Sequence, residues 1–569
     1  MNALYYGDNL QVLRESIADE SVDLIYLDPP FNSKRDYNVL FQSPKGEESD
    51  AQIVAFEDSW HWGEKAEREF SEIRKCANTD AAEMMQALRS FLGDNDMLAY
   101  LTMMANRLLE LHRVLKLTGS LYLHCDPTAS HYLKIVLDAV FGHENFRSEI
   151  IWRRSAAHNS ARRYGPIHDT IFFYSKTESF KWNRVFNTYT RAYVESFFNN
   201  VDDKGRYRTQ TLTGSGTRNG ESGQPWRVYD PTSKGRHWAF PGPIAEELGI
   251  QGLTVHQKLD YLADNSLIME SNWLPEYRQY LHQSPGVLLQ DIWAYQPFTN
   301  GVLFGTDLPI DDDIRWVGDR NDPDKLGYPT QKPRGILERM IRASSDCGDV
   351  VLDPFCGCGT AVHAAQSLGR EWIGIDITHL AISLIERRLR GAFPSIQFAV
   401  FGTPTDLDGA RDLALRDKYQ FQWWACFLVN CRPYQGKKKG ADTGIDGLDF
   451  FEDEKGKAKR VIVSVKGGEN VGVTMVKDLI ATVQREKAAV GLFVTLAPPT
   501  RPMKTEAASA GFYESPIGGS YPRIQILTIE GLMNGSERPQ YPLSQSGGLA
   551  FKRTKVEVRN TEQGTLFGK

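Results

Sequence analysis

Short apolar runs separated by amphipathic stretches dominate the first 175 residues. Ala3–Tyr6 reads as a strand and the segment across Leu10–Ile17 as a helix. The run Val22-Asp23-Leu24-Ile25-Tyr26-Leu27 is apolar at every position but one, the pattern of a buried strand, and it stops at Asp28-Pro29-Pro30-Phe31. Helical spacing over Met97–Leu115 closes at Lys116-Leu117-Thr118-Gly119, which reads as a basic last turn followed by a glycine stop. A strand over Ser120–His124, a helix over His131–Phe141 and strand-like pieces at Glu149–Trp152 and Thr170–Tyr174 follow.

Between about 176 and 320 the periodicity is lost. Aromatics interleave with Gly, Asn and Arg, as in Arg206-Tyr207-Arg208 and Pro225-Trp226-Arg227-Val228-Tyr229, a texture that suits a ligand-reading insertion. Regular alternation returns with a helix over Arg334–Ala343, the strand Val350-Val351-Leu352, a glycine loop, a helix from Thr360, the strand Trp372–Asp376 and a helix over His379–Leu389. Strand–helix–strand units of this length predict an α/β fold with a doubly wound, mostly parallel sheet. A further unit from about 410 carries the strand Val461–Val465, a helix over Met475–Arg485 and the strand Val490–Leu496. The expected division is 1–175 and 326–405 as two parts of one α/β domain, 176–325 as the insertion, 410–535 as a separate α/β domain, and 536–569 as a loosely ordered tail. No internal repeat is present.

Composition changes this picture little. With 569 residues, 41% hydrophobic and 24% charged, the chain is an ordinary globular protein of several domains. It has no apolar run near the ~20 residues that span a bilayer, and Met1–Asp8 lacks the features of an export signal, so a cytoplasmic location without membrane attachment is expected. Seven scattered cysteines (76, 125, 347, 356, 358, 426 and 431) read as free thiols in a reducing compartment, with Cys356 and Cys358 a buried pair beside a glycine turn rather than a metal site. The net charge of −6 does not advertise a nucleic-acid partner. Positive charge gathers only locally, at Arg153-Arg154, Arg162-Arg163 and Lys437–Lys439.

Two loops carry the candidate chemistry. Asp353-Pro354-Phe355-Cys356-Gly357-Cys358-Gly359-Thr360 follows a strand and opens a helix, so its glycines let the backbone turn tightly and the helix presents free N–H groups. Asp376 ends the next strand about 20 residues on, where such folds place a carboxylate on ribose hydroxyls. Val362 occupies the position of the third glycine of the dinucleotide fingerprint, which disfavours NAD and leaves an adenosine cofactor. The other loop, Asp28-Pro29-Pro30-Phe31, sets a carboxylate, a carbonyl without a neighbouring N–H, and an aromatic face in a row, a clamp for the exocyclic amine of a nucleobase. Alone, the first reads equally well as a glycine turn and the second as a rigid proline turn.

Their conjunction decides. Gly7-Asp8-Asn9-Leu10, Asp28-Pro29-Pro30-Phe31-Asn32, Gly119-Ser120-Leu121, Tyr328-Pro329-Thr330-Gln331-Lys332-Pro333, Val351–Thr360 and Gly374-Ile375-Asp376-Ile377 stand in an order that resembles the β-class DNA amino-methyltransferases, with type III modification subunits the nearest group. The resemblance covers residues 1 to about 400 apart from the insertion. It implies a class I S-adenosylmethionine-dependent fold, with the insertion reading double-stranded DNA. Phe355, Gly357, Gly359 and Thr360 would shape the methionine end of the cofactor site, Asp353 would lie near the amino group, Asp376 on the ribose and Asp8 on the adenine edge. Lys332 and Pro333 would flank the methionine side. Asp28, Pro29, Pro30 and Phe31 would hold a flipped base, Phe31 replacing the tyrosine of many relatives. Adenine N6 is the implied acceptor, with cytosine N4 the alternative. A non-catalytic DNA-binding protein and an RNA methyltransferase are the contrasting readings.

The C-terminal unit resembles the Mrr-type branch of the PD-(D/E)xK nucleases through Asp446 and Lys466, but Ser464 stands where that branch has Glu or Gln. A hydroxyl is a poor ligand for a hard cation, so Mg2+ affinity would fall. Three readings stay open at this point: an active nuclease, making the chain a fused restriction–modification enzyme; a degenerate nuclease fold kept as a DNA-binding module, helped by Lys437–Lys439; and an unrelated α/β domain on which Asp446 and Lys466 are an ordinary surface pair. So do a homodimer and a restriction or defence partner.

Overall fold

A computed structural model of the chain describes residues 2–30, 60–154, 164–295, 302–315, 331–434, 444–454, 457–542 and 556–557, together with the backbone of an antiparallel hairpin, Asp36–Gln42 with Glu48–Glu57. It divides into two compact units, one of 1–183, 290–294 and 313–563, the other of 184–289, 295–312 and 564–569.

The first unit is built on a nine-stranded sheet. Its order is Ile292–Trp293, Phe146–Arg153, His168–Ser175, Leu115–Cys125, Val22–Leu27, Val350–Asp353, Glu371–Asp376, Ala3–Tyr6 and Ala399–Phe401. Every strand runs the same way except His168–Ser175, which is antiparallel to both neighbours. The two-residue period of a strand then sorts the core. Ile25 and Leu27 pack on one face with Leu13, Phe70, Met85, Leu101 and Leu133. Leu24 and Tyr26 pack on the other with Ile336, Met340, Ala364, Ile382 and Ile385. Helices therefore cover both faces, as the doubly wound expectation requires.

Asp23 interrupts the apolar strand for a structural reason. Its carboxylate is buried and accepts from the Val350 backbone N–H at 3.0 Å and from the Lys116 ammonium at 2.7 Å, tying the Val22–Leu27 strand to the one beside it. Lys116 also overturns an expectation. The helix Asp96–Val114 stops earlier than its spacing predicts, and Leu115 already belongs to the next strand. Val22 pairs with Leu115 but Leu24 pairs with Ser120, so residues 116–119 bulge out of the ladder. Gly119 is there because a Cβ would lie 2.5 Å from Leu115 Cδ1, not because it caps a helix.

The C-terminal part of this unit has its own five-stranded sheet, ordered Arg432–Pro433, Gly447–Glu454, Lys457–Lys466, Val490–Thr495 and Ile524–Thr528, the first three antiparallel and the last three parallel. The expected loose tail is corrected at two places. Tyr541 stacks on Phe451 and donates to Asp449 at 3.0 Å, and Glu557 forms an ion pair with Arg334 and lies 3.2 Å from His363 Nε2. The remaining tail residues, 543–555 and 558–569, lie outside those described.

The second unit encloses a separate core around Trp226, Trp238, Leu259, Leu262, Tyr277 and Tyr280. Its four-stranded sheet is ordered Ile268–Met269, Glu276–Tyr280, Gly205–Thr211 and Asn200–Asp202. Two of these strands have only two or three residues, and Gly205–Thr211 is half-buried along almost its whole length, so no alternation of apolar and polar positions shows in the sequence. Among the described residues no helix is long and apolar enough to cross a membrane.

Asp23→Ala is expected to lower unfolding stability by about 2 kcal/mol, since it leaves a half-buried backbone N–H and the Lys116 ammonium without their acceptor. Asp23→Asn should recover part of this in urea denaturation. Equal stability of all three proteins would refute the role given to Asp23.

Candidate active site

Val22–Leu27 and Val350–Asp353 are parallel neighbours, with Ile25 opposite Leu352. From this pair the connections leave in opposite directions across the sheet, so a crevice opens at their carboxyl ends. Both loops singled out in the sequence emerge there. They line one cavity of about 240 Å3 together with Gly7, Asp8, Lys332, Thr360 and Asp376.

Asp28, Pro29 and Pro30 form one wall. The Asp28 carboxylate pairs with the Lys332 ammonium, and both side chains are largely buried. Lys332 just precedes the helix Arg334–Ser344, which is held by a two-pronged Arg339–Asp313 pair whose Nε–Oδ2 arm is 2.7 Å. Beneath Asp28, the Tyr26 hydroxyl and His124 Nδ1 lie 3.1 Å apart, and His124 Nε2 is 3.2 Å from Asp169. Arg154 approaches the same carboxylate at 3.4 Å. Burial pushes the Tyr26 phenol well up, and the nearby Asp28 and Asp353 add to this. Burial also acts to raise Asp169, but the His124 hydrogen bond and the neighbouring cations outweigh it and hold the carboxyl below its usual range.

The opposite end is organised by Arg107. It is buried and donates to Asn9 Oδ1 at 2.6 Å, to the Met103 carbonyl at 3.1 Å and to both Asp8 oxygens at 3.2 Å. Asn9 in turn donates to the Pro354 carbonyl at 2.8 Å, and Asp8 caps the helix Asn9–Ser16 through the Leu10 N–H. Three segments distant in sequence are joined around the cavity in this way.

In the glycine loop, Gly359 has φ +74° and an added Cβ would lie 2.7 Å from Ile385 Cγ1, so only glycine fits. Gly357 donates its N–H to Asp376 at 2.9 Å, and Thr378 donates to Asp376 from both its backbone and its hydroxyl. Asp353 accepts from the Phe355 N–H at 3.1 Å. Burial raises the Asp353 carboxyl well above the usual range; the Phe355 N–H opposes the shift, while Asp28 and Asp376 reinforce it. Burial likewise lifts Asp376 to about 6 against its hydrogen bonds.

Of the expected site residues, Asp8, Asp28, Pro29, Pro30, Lys332, Asp353, Phe355, Gly357, Thr360 and Asp376 line the cavity. Gly359 and Pro333 stand behind it, each as the cap of a helix. Phe31 lies outside the described residues, as do Arg162-Arg163 and Lys437–Lys439. Cys356 and Cys358 are buried, free and at the cavity wall. Sequence reasoning missed Arg107, Asn9, Tyr26 and Trp60. For Arg107 a signal existed: it shares a helical stripe with Met103 and Leu111, and a charge on a buried stripe needs a partner.

At the nuclease-like site, the Asp446 oxygens accept from Gln422 Nε2 at 2.9 Å and from the Val465 N–H at 2.7 Å. Ser464 is buried on the same strand as Lys466. Among the described residues no group of three or more His, Cys, Asp or Glu converges as a metal site would.

A crevice lined by carboxylates at the switch point of a doubly wound sheet is the place where α/β proteins of this class take their ligands. The family model described as DNA methylase, of the N6/N4 methyltransferases, matches residues 22–387, and the chain belongs to that family. Residues 430–534 match a second model, described as NACHT-associated inactive restriction endonuclease 1. The chain is similar to the type II methyltransferase M.EcaI of Enterobacter cloacae, 28% identical over 51% of this chain and 57% of that protein. It is also similar to the Mod subunit of the type III restriction-modification enzyme StyLTI of Salmonella typhimurium, 26% identical over 65% of this chain and 50% of the relative. It thus spans about half the length of these curated relatives. A 62-residue stretch is 50% identical to the DNA adenine methyltransferase YhdJ of Escherichia coli, covering 11% of this chain and 21% of YhdJ. The solved DNA modification methylase TTHA0409 of Thermus thermophilus aligns over 70% of this chain and all of its own, at 15% identity and a TM-score of 0.31, too low to bear on chemistry.

The raised Asp376 carboxyl has a definite sign. The folded state favours its proton, so its contribution to stability is present below the unfolded value near 3.8 and is lost as pH rises through about 6. Thermal unfolding followed from pH 4 to pH 7 should show a smaller loss in Asp376→Asn than in the parent. An unchanged profile would contradict the assignment.

Proposed function

We propose that this chain is a DNA methyltransferase that uses S-adenosylmethionine to methylate the exocyclic amine of a flipped base, adenine N6 in the first instance. The observation that carries this reading is that Asp28-Pro29-Pro30 and the Asp353–Thr360 loop line a single cavity. The residues present suit the cofactor. Asp8, Asp28, Asp353 and Asp376 crowd a desolvated space in which the carboxyls of Asp353 and Asp376 are already driven up, so a ligand carrying ammonium and sulfonium charge would relieve the strain. Trp60 also lines this cavity, and its buried indole N–H has no partner among the described residues.

When bound, the cofactor supplies an electrophilic sulfonium methyl. The protein does the rest. The target base must leave the duplex to reach the clamp. Asp28 and the Pro29 carbonyl would accept its two N–H groups, which would turn the nitrogen lone pair toward the methyl and stabilise the positive charge that develops as the C–N bond forms and the bond to sulfur breaks, until the amine releases one proton. Asp376 would take the ribose hydroxyls, and Asp8, fixed by Arg107, would face the adenine edge. The Asp at the head of the clamp and the stretch shared with an adenine methyltransferase favour adenine N6 over cytosine N4. The unit of 184–289 and 295–312 is assigned to reading the DNA sequence, through Arg and Asn or Gln in the major groove.

For the C-terminal domain the favoured reading is a nuclease fold that no longer cuts. Asp446 already satisfies a side-chain amide and a backbone N–H, a serine occupies the acidic position, and the matching family model is described as inactive.

Tritiated methyl transfer to mixed duplex DNA should be readily measured with the parent protein. Asp28→Ala is expected to reduce it by at least about 10²-fold while cofactor binding persists; near-normal transfer by this variant would sink the mechanism. Sequencing modified positions should place the mark on adenine. Unmethylated plasmid incubated with Mg2+ should stay intact, and cleavage lost in Lys466→Ala would overturn the inactive reading.

A further inference from the structure

One ammonium in the cavity faces two claimants. Among the described residues three cationic side chains line it: Lys65, Arg107 and Lys332. Arg107 is committed to Asp8, Asn9 and the Met103 carbonyl. The Lys65 side chain is 66% exposed and lies 4.0 Å from Glu69. Lys332 is the buried cation on the Asp28 side, where it pairs with Asp28 and its field also reaches Asp353. Yet Asp28 is the group that must accept the target amine, and the paired ammonium occupies its Oδ2 and withdraws the negative charge that would stabilise positive charge building on that amine. The cofactor brings a carboxylate of its own into a space already crowded with acids, where leaving it unpaired would be costly. The four-carbon lysine stem can swing a point charge between nearby partners without a fixed geometry.

We propose that Asp28 and the carboxylate of the cofactor compete for Lys332, so that cofactor binding releases Asp28 to receive the target base. Lys332 is then a positioning residue that couples the two halves of the reaction. The inference rests on the function proposed above. By linkage, whatever the cofactor does to Asp28, Asp28 does to the cofactor. The catalytic carboxylate therefore weakens cofactor binding, and removing its charge strengthens it.

S-adenosylhomocysteine is the probe that isolates this effect. Its thioether carries no positive charge, so neutralising Asp28 costs no attraction to a sulfonium. Calorimetric titration of the full chain should show Asp28→Asn binding it at least about fivefold more tightly than the parent, the lower end of ordinary coupling between sites. Lys332→Gln should bind it more weakly, and adding Asp28→Asn to Lys332→Gln should bring no further tightening. A merely structural pair would give weaker binding in both single variants. The inference is overturned if Asp28→Asn binds no better than the parent, or if it tightens binding equally without the lysine. Should Lys332→Gln not fold, Lys332→Met, an uncharged side chain of similar length, takes its place in the double-variant comparison. Failure of the parent itself to bind S-adenosylhomocysteine would refute the cofactor assignment instead, and this inference with it.

Discussion

The pairing of Val22–Leu27 with Val350–Asp353 is the contact on which the site depends. More than three hundred residues separate the two strands, and the Asp23 carboxylate reaches across to the Val350 N–H to hold them in register. Because side chains alternate along a strand, a slip of one residue would turn Tyr26 and Leu24 to the wrong face and aim both loops away from the crevice. With the register kept, Asp28 and Asp353 emerge side by side, and the remaining groups follow from neighbouring strand ends.

What gathers there is mostly negative charge in a desolvated place. Such a cluster is held together by its partners: Arg107 on Asp8, Lys332 on Asp28, backbone N–H groups on Asp353 and Asp376. Those partners also fix where each carboxylate points. The cost of crowding is visible in the raised Asp353 and Asp376 carboxyls and is the same feature that suits the crevice to a cationic ligand. Stability and function draw on one set of contacts, so a residue such as Lys332 can belong to both.

The C-terminal sheet follows a different logic. Its strands and helices are well packed and its Asp446 sits at the start of the right strand, but the carboxylate is turned to internal donors. A fold can outlast its chemistry when the hydrophobic core that keeps it is independent of the metal ligands.

Much of the architecture was legible in the chain itself. The strand Val22–Leu27 has its boundaries in the apolar pattern, and the helices His131–Phe141 and His379–Leu389 lie within a few residues of their observed ends. Gly357, Gly359 and Asp376 announced a tight loop between strand and helix through spacing, because backbone geometry at such a loop is imposed locally by residue type. Local pattern failed where distant contacts decide. Residues 116–119 look like a helix end but are drawn into a bulge by Asp23, and the short strands of the second unit take their shape from Trp226 and Trp238. The sequence by itself determined which residues could do chemistry, since only particular side chains carry charge, a turn or a carbonyl without an N–H. Only the tertiary structure decided that Lys332 meets Asp28 and that Arg107 holds Asp8, because electrostatic partnership depends on distance in space and burial, and neither is written in spacing along the chain.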